Sequence, residues 1–280
     1  MKITVLPKDL KIGESENLQL YDYRRTEDIQ KTKINLSKNT ISFLRTGTKE
    51  VIGDDKTVQI GNEHFLIIKS GNCLMTEKVS DSFKVYNSIL FFFSDEEILH
   101  FLEKYNQFSS NLKNHKSFYI FEYDNFVQNF VDSLEQILKL PKKIQTNILK
   151  NKFEELMLYL IHQDNADFLY SLVQNIDDKI SRLNYIAENN KHNKLSLDEL
   201  AFLCNMSVST FKREFFKLYQ KTPMKWFNEQ RLNHVAFILK TKRNRPIELY
   251  EDAGYENFSN FVQAFKRQFG MTPKEYQIQG

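Results

Sequence analysis

One pattern of apolar residues occurs twice in this chain, about fifty residues apart, and it narrows what the C-terminal part can become. In the first copy, Leu200-Ala201-Phe202-Leu203-Cys204-Asn205-Met206-Ser207 leads into a run from Val208 to Tyr219 in which Val208, Phe211, Phe215 and Leu218 form one stripe. In the second, Leu249-Tyr250-Glu251-Asp252-Ala253-Gly254-Tyr255 leads into Phe258, Phe261, Phe265 and Phe269. Each copy reads as a short helix, a tight turn and a second helix with one apolar face. Asn205 can take the left-handed turn conformation at modest cost, and Gly254 at none.

On a helical wheel of roughly 100° per residue, the faces opposite the two stripes superimpose with an offset of fifty. Ser209 falls on Ser259, Arg213 on Gln263 and Lys217 on Arg267. Thr210 and Phe216 flank the first face, and Asn260 and Lys266 the second; Lys212 also lies on the flank. This chemistry suits a major groove. Arg213 can donate a bidentate pair to guanine, and Gln263 can pair with the N6/N7 edge of adenine. Ser209 and Ser259 can bond a base or a phosphate, and Thr210 and Asn260 are counted with the base readers. Lys217, Lys266 and Arg267, near the helix ends, and Lys221 just beyond, suit backbone phosphates. A solvated surface is the ordinary fate of polar residues opposite a core, but two matching copies in a basic segment point to double-stranded DNA. The basic segment is real: residues 179–280 hold 17 Lys and Arg against 10 Asp and Glu, while the rest of the chain holds 22 against 26.

Supporting elements frame the pair. Ile180, Leu183, Ile186 and Ala187 form a scaffold helix. Ser196-Leu197-Asp198-Glu199 is a capping box opening a helix that buries Leu197, Leu200, Ala201 and Cys204. Thr222-Pro223 starts a long helix, with Trp226, Phe227, Leu232, Val235, Ala236, Ile238 and Leu239 along it. Such a rod sets the separation of two readers that enter grooves ~34 Å apart. Lys240–Arg245 reads as a basic loop, Pro246 as the start of another helix, and Thr272-Pro273-Lys274-Glu275 as the cap of a last one.

Residues 1–93 read as strands. A run holding Ile41, Phe43 and Leu44 ends at Thr46-Gly47; Gly53–Lys56, Gly61–Glu63 and Ser70–Asn72 are turns; and Phe83–Phe93 is a long final strand. This spacing suggests a sandwich or small barrel. Phe91-Phe92-Phe93 reads as a strand buried on both faces, with lining of an effector pocket as the alternative. Residues 94–175 read as helical. Ser94–Glu97 is a capping box, residues 106–116 a polar loop, and Pro141 separates two stripes: Phe126, Phe130, Leu134, Ile137, Leu138, then Ile144, Ile148, Phe153, Leu156, Leu160, Ile161. With two stripes available, the first is expected to make a homodimer. The domains expected are thus 1–93, 94–175 and 178–280.

Cys73 and Cys204, far apart in sequence, suit a reducing compartment rather than a disulfide framework. No apolar run approaches the ~20 residues of a membrane span, and no leader-like segment follows Met1, so a cytoplasmic protein with no membrane partner is expected. The six histidines form no ligand-type pair; no metal, cofactor or catalytic residue is expected.

Residues ~180–276 resemble the DNA-binding domain of AraC/XylS-type regulators. The resemblance rests on Leu200-Ala201, Met206-Ser207, Phe211-Lys212-Arg213, Phe215, Arg231-Leu232, Ala236, Ala253-Gly254-Tyr255, Phe261, Ala264-Phe265-Lys266, Phe269-Gly270-Met271-Thr272-Pro273 and Tyr276. It implies an all-α double helix-turn-helix joined by a linker helix and preceded by a sensor and dimerisation region. It also implies Ser209, Lys212, Arg213, Ser259, Asn260 and Gln263 as base readers. Residues 40–93 resemble, more loosely, a cupin-like sensor. Tyr250 departs from a usual Ala, and Gln220 from a usual Gly. The function expected is a sequence-specific transcription factor, an activator working with RNA polymerase. It is controlled by a ligand or partner at the N-terminal domain. Control by protein contact alone, or an architectural DNA-binding role, are the alternatives; Arg213 and Gln263 argue against the last. A DNA-repair enzyme reading lacks the cysteine cluster it needs.

Overall fold

The computed structural model describes residues 3–12, 16–107, 116–164, 166–174, 178–242 and 244–279. It divides into two compact units, residues 1–176 and 177–280.

Short apolar runs between turn residues give the first unit β1 (Thr4–Leu6), β2 (Leu18–Arg25), β3 (Ile29–Leu36), β4 (Asn39–Thr46), β5 (Thr48–Ile52), β6 (Thr57–Ile60), β7 (His64–Ile68), β8 (Gly71–Lys78) and β9 (Tyr86–Phe93). Helix α1 (Asp95–Lys104), strand β10 (Phe118–Glu122) and helices α2 (Asn125–Ile137), α3 (Lys142–Asp164) and α4 (Asp167–Val173) follow. Two five-stranded sheets result, ordered β1-β3-β8-β5-β6 and β10-β7-β4-β9-β2.

The second sheet is covered on both faces, and the period of two along its strands shows how. Phe65 and Ile67 of β7 and Ile89, Phe91 and Phe93 of β9 join a core with α1–α4. Their neighbours Leu66, Ile68, Leu90 and Phe92 join a second core with Ile34, Leu36, Val51 and Met75 of the first sheet. Phe91, Phe92 and Phe93 are each fully buried, as a two-sided strand requires.

Five expectations change. The boundary expected after residue 93 is not a domain boundary, because the following helices cover the second sheet and β10 extends it beside β7. The dimerisation stripe is used within the chain: Phe130, Leu134 and Ile137 are buried in the helix-side core and Leu138 packs against it. Phe126, 38% exposed, stacks on Tyr159 with ring centroids 4.1 Å apart. The final strand starts at Tyr86, since Lys84 adopts a left-handed φ of 50° and Phe83 is exposed. The Ser94 hydroxyl accepts from the Glu97 amide, but the Glu97 carboxylate accepts from Asn17, so only half of that capping box forms. Ile144 of the second stripe is 47% exposed. Of the polar loop expected over residues 106–116, positions 108–115 lie outside the described residues.

Between the sheets lies a cavity of about 530 Å³, lined by Ile34, Leu36, Ile68, Met75 and Leu90 and by the ion pair of Lys49 with Glu77 at 3.3 Å. Lys49, 2% exposed, also donates to Ser42, which bonds Ser88.

The second unit is helical: α5 (Lys179–Asn189), α6 (Leu197–Leu203), α7 (Val208–Tyr219), α8 (Pro223–Thr241), α9 (Phe258–Phe269) and α10 (Pro273–Gln279). Leu183, Ile186 and Ala187 of α5 are buried, whereas Ile180 is exposed and Leu197 of α6 only half-buried. Pro246 opens a single 3-10 turn, Pro246–Glu248, in place of the expected helix. Arg243 of the basic loop lies outside the described residues.

Candidate nucleic-acid interface

The turn before α7 and the turn before α9 share one backbone design. In the first, Cys204, Asn205 and Met206 donate to the carbonyls of Leu200, Phe202 and Ala201 at 3.0, 2.9 and 2.9 Å. In the second, Ala253, Gly254 and Tyr255 donate to Leu249, Glu251 and Tyr250 at 3.0, 2.8 and 3.0 Å. Both turns pass through the left-handed region, at Asn205 (φ 55°) and Gly254 (φ 85°). Each following helix is then capped by a side-chain oxygen, Ser207 Oγ on the Thr210 amide and Asn257 Oδ1 on the Asn260 amide.

α8 holds the two helix-turn-helix copies at its two ends. Near its start, Trp226 and Phe227 meet Phe215 of α7 at 5.6 and 5.7 Å. Further on, Leu232, Val235, Ala236 and Leu239 form a core with Leu249, Ala253, Phe261 and Phe265. Arg231 lies between these groups, 8% exposed. Its Nε donates to the Ala253 carbonyl at 3.1 Å, its guanidinium also bonds Asn228, and Gly254 comes so near that an added Cβ would sit 3.1 Å from Nε. Gln268 of α9 adds bonds to the Glu229 carbonyl and Asn233.

With the apolar faces used in this way, the polar faces are exposed. Ser209, Lys212, Arg213 and Lys217 of α7 and Ser259, Asn260, Gln263, Lys266 and Arg267 of α9 are all exposed; Thr210 is half-buried. Leu218, expected in the first stripe, is 39% exposed. On α7 several of these groups are engaged. The Ser207 hydroxyl bonds those of Ser209 and Thr210 at 3.0 and 2.9 Å. Glu214 accepts from Arg213 Nε at 2.8 Å and from Lys217 Nζ at 3.1 Å, and these contacts hold its carboxyl below the ordinary range. Lys221 pairs with Glu229 at 2.6 Å. On α9 the position matching Glu214 is Ala264, and among the described residues no hydrogen bond or ion pair holds Ser259 or Gln263, nor Lys212 on α7. Glu214 and Arg231 were not singled out from sequence for these roles. The i,i+3 spacing of Glu214 and Lys217 and a lone arginine on an apolar stripe were the signals available.

The helix ends differ too. Gln220, at φ 53°, caps α7 in the left-handed conformation with its side chain on the Lys217 carbonyl at 2.9 Å; Gly270, at φ 79°, does so for α9. Thr222 precedes Pro223 without a side-chain capping bond, whereas Thr272 and Glu275 bond reciprocally at the start of α10.

Residues 39–172 match the family model of the ExsA N-terminal regulatory domain, and residues 200–279 that of a helix-turn-helix domain. The HTH-type transcriptional regulator ExsA of Pseudomonas aeruginosa is 26% identical over 123 residues, 44% of either chain. The virulence regulon transcriptional activator VirF of Yersinia enterocolitica is 26% identical over 128 residues, 45% of this chain and 47% of its own. The chain thus spans less than half the length of these curated relatives. The solved structure of ToxT from Vibrio cholerae aligns over 94% of this chain and 98% of its own, with 14% identity and a TM-score of 0.40. An ExsA-type N-terminal regulatory domain followed by a helix-turn-helix domain is thus what the two matches give, and in both parts the chain is similar to AraC/XylS-type regulators.

Proposed function

We propose that this chain is a sequence-specific DNA-binding transcriptional regulator that reads two successive major grooves with α7 and α9. The observation that carries this reading is the pair of superimposable turns, each presenting an exposed polar helix face and both fixed to α8. α8 has 19 residues and is therefore roughly 28 Å long, a span suited to helices that enter grooves ~34 Å apart. Ser209, Thr210, Lys212 and Arg213 contact bases in one half-site, and Ser259, Asn260 and Gln263 in the other. Lys217, Lys221, Lys266 and Arg267 contact phosphates. Glu214 aims Arg213: with Nε committed to the carboxylate, the terminal nitrogens are left for guanine.

The protein works as an activator, in keeping with the name VirF carries, and does so in the cytoplasm in contact with RNA polymerase. The cavity between the sheets supports control by a small molecule rather than by protein contact alone, since it combines apolar walls with buried charged groups. Selection of bound duplexes from a random pool by the full chain tests the reading. A bipartite site with half-sites about one helical turn apart is expected; recovery of unrelated sequences at equal affinity overturns it.

A further inference from the structure

The polar face of α7 contains one apolar side chain that nothing in the fold uses. Phe216 is 50% exposed. Phe211 and Phe215, on the opposite side, pack on each other at 5.4 Å, and Phe215 meets Trp226 and Phe227. Among the described residues no ring contact involves Phe216. It follows Lys212 by four residues and Arg213 by three, so it lies one turn further along the face those two form with Ser209. In α9 the equivalent position is the exposed cation Lys266.

We infer that Phe216 is a base-reading residue for the first half-site, its ring resting on the 5-methyl group of a thymine. This rests on the DNA-reading role proposed above. Three features favour thymine. The groove offers an apolar side chain only one apolar group, the thymine methyl. That methyl projects toward the groove's outer edge, where a residue in the second half of a reading helix reaches. A phosphate contact, the role given to Lys266, is closed to a phenyl ring. The two half-sites should therefore differ: a required thymine beside the bases read by Lys212 and Arg213, and a backbone contact with no base preference at the matching place in the other.

Replacing thymine by deoxyuridine removes the methyl and keeps every hydrogen-bonding group. The full chain is titrated against a selected duplex and against versions with deoxyuridine at each thymine in turn. One position should lose about fourfold in affinity, the value for burying one methyl-sized group. Phe216→Ala should lose as much or more on the thymine duplex and show no further loss with deoxyuridine. Phe216→Lys should recover affinity, still ignore the methyl, and steepen the salt dependence by about one ion. Because Phe216 is exposed, both variants should melt like the parent. If the parent binds thymine and deoxyuridine duplexes alike, or if methyl sensitivity survives in Phe216→Ala, the inference is overturned. If the parent selects no sequence at all, the DNA-reading role fails instead.

Discussion

The two readers reach the same turn by different routes. The first rests on a full helix, α6, opened by the Ser196–Glu199 capping box, and turns through an asparagine. The second has only a 3-10 turn and a string of turns before Gly254, with the Tyr250 ring where the first has the methyl of Ala201. What the second lacks in helix it gains from outside, because Arg231 of α8 binds the Ala253 carbonyl. At the reading face the order reverses: α7 carries its own carboxylate, Glu214, while α9 has Ala264 and stands unrestrained. A repeated backbone unit therefore does not imply repeated support. Both copies pack on the rod that joins them, but one turn is closed by its own helix and the other by an arginine from that rod.

The sharpest way to break this comparison is to remove Arg231. Arg231→Ala leaves a buried carbonyl unpaired and a gap beneath Gly254, and should cost about 2–3 kcal/mol. Hydrogen exchange should quicken at Ala253–Tyr255 and along α9 but not at Cys204–Met206. Equal quickening at both turns would mean the copies share their support.

Arg213→Ala should cost about 1–3 kcal/mol in binding a selected site and relax one base position. Gln263→Ala should relax a position about one turn away. Uniform weakening on all sequences would show that neither side chain reads a base. Glu214→Ala sharpens the point: discrimination at the Arg213 position should fall while affinity for unrelated DNA rises, because a negative charge has left the face. The matching change Ala264→Glu should weaken unrelated binding.

A smaller effect separates the helix ends. Gln220→Gly should raise stability by about 0.5–1 kcal/mol, relief of the left-handed conformation outweighing the freer unfolded chain. Gly270→Gln should lower it by a similar amount, and thermal unfolding of both variants measures the difference. The smallest effects are electrostatic. Lys217→Ala should lower affinity evenly and flatten the salt dependence by about one ion. Arg213 and then Lys217 hold the Glu214 carboxyl below its ordinary value, so their contacts persist at neutral pH and are lost only as pH falls through that lowered value. An NMR titration should find this carboxyl moved back up in Arg213→Ala.

The helical half of this architecture was largely legible in sequence, because phenylalanines at helical spacing with polar residues opposite admit few arrangements. The β half was less so. Strand β8, built on Cys73-Leu74-Met75, has Thr76 as its one β-branched residue, and β10 follows a polar stretch that suggests only a loop. The apolar stripe of α2 was visible; its destination was not, since a helix face looks alike whether it meets a second copy or its own sheet. The support from Glu214 and Arg231 depends on which neighbours the fold brings near, and the helical wheel gives no view of that.

The double covering of the second sheet has a practical consequence for anyone who divides this protein. A fragment ending near residue 93 would strip the helices from Phe65, Ile67, Phe91 and Phe93, leaving an oily slab open to water. Such a piece should precipitate or recruit strands from its neighbours, whereas a fragment carried through the last turn of α4 keeps its lid and should stay in solution.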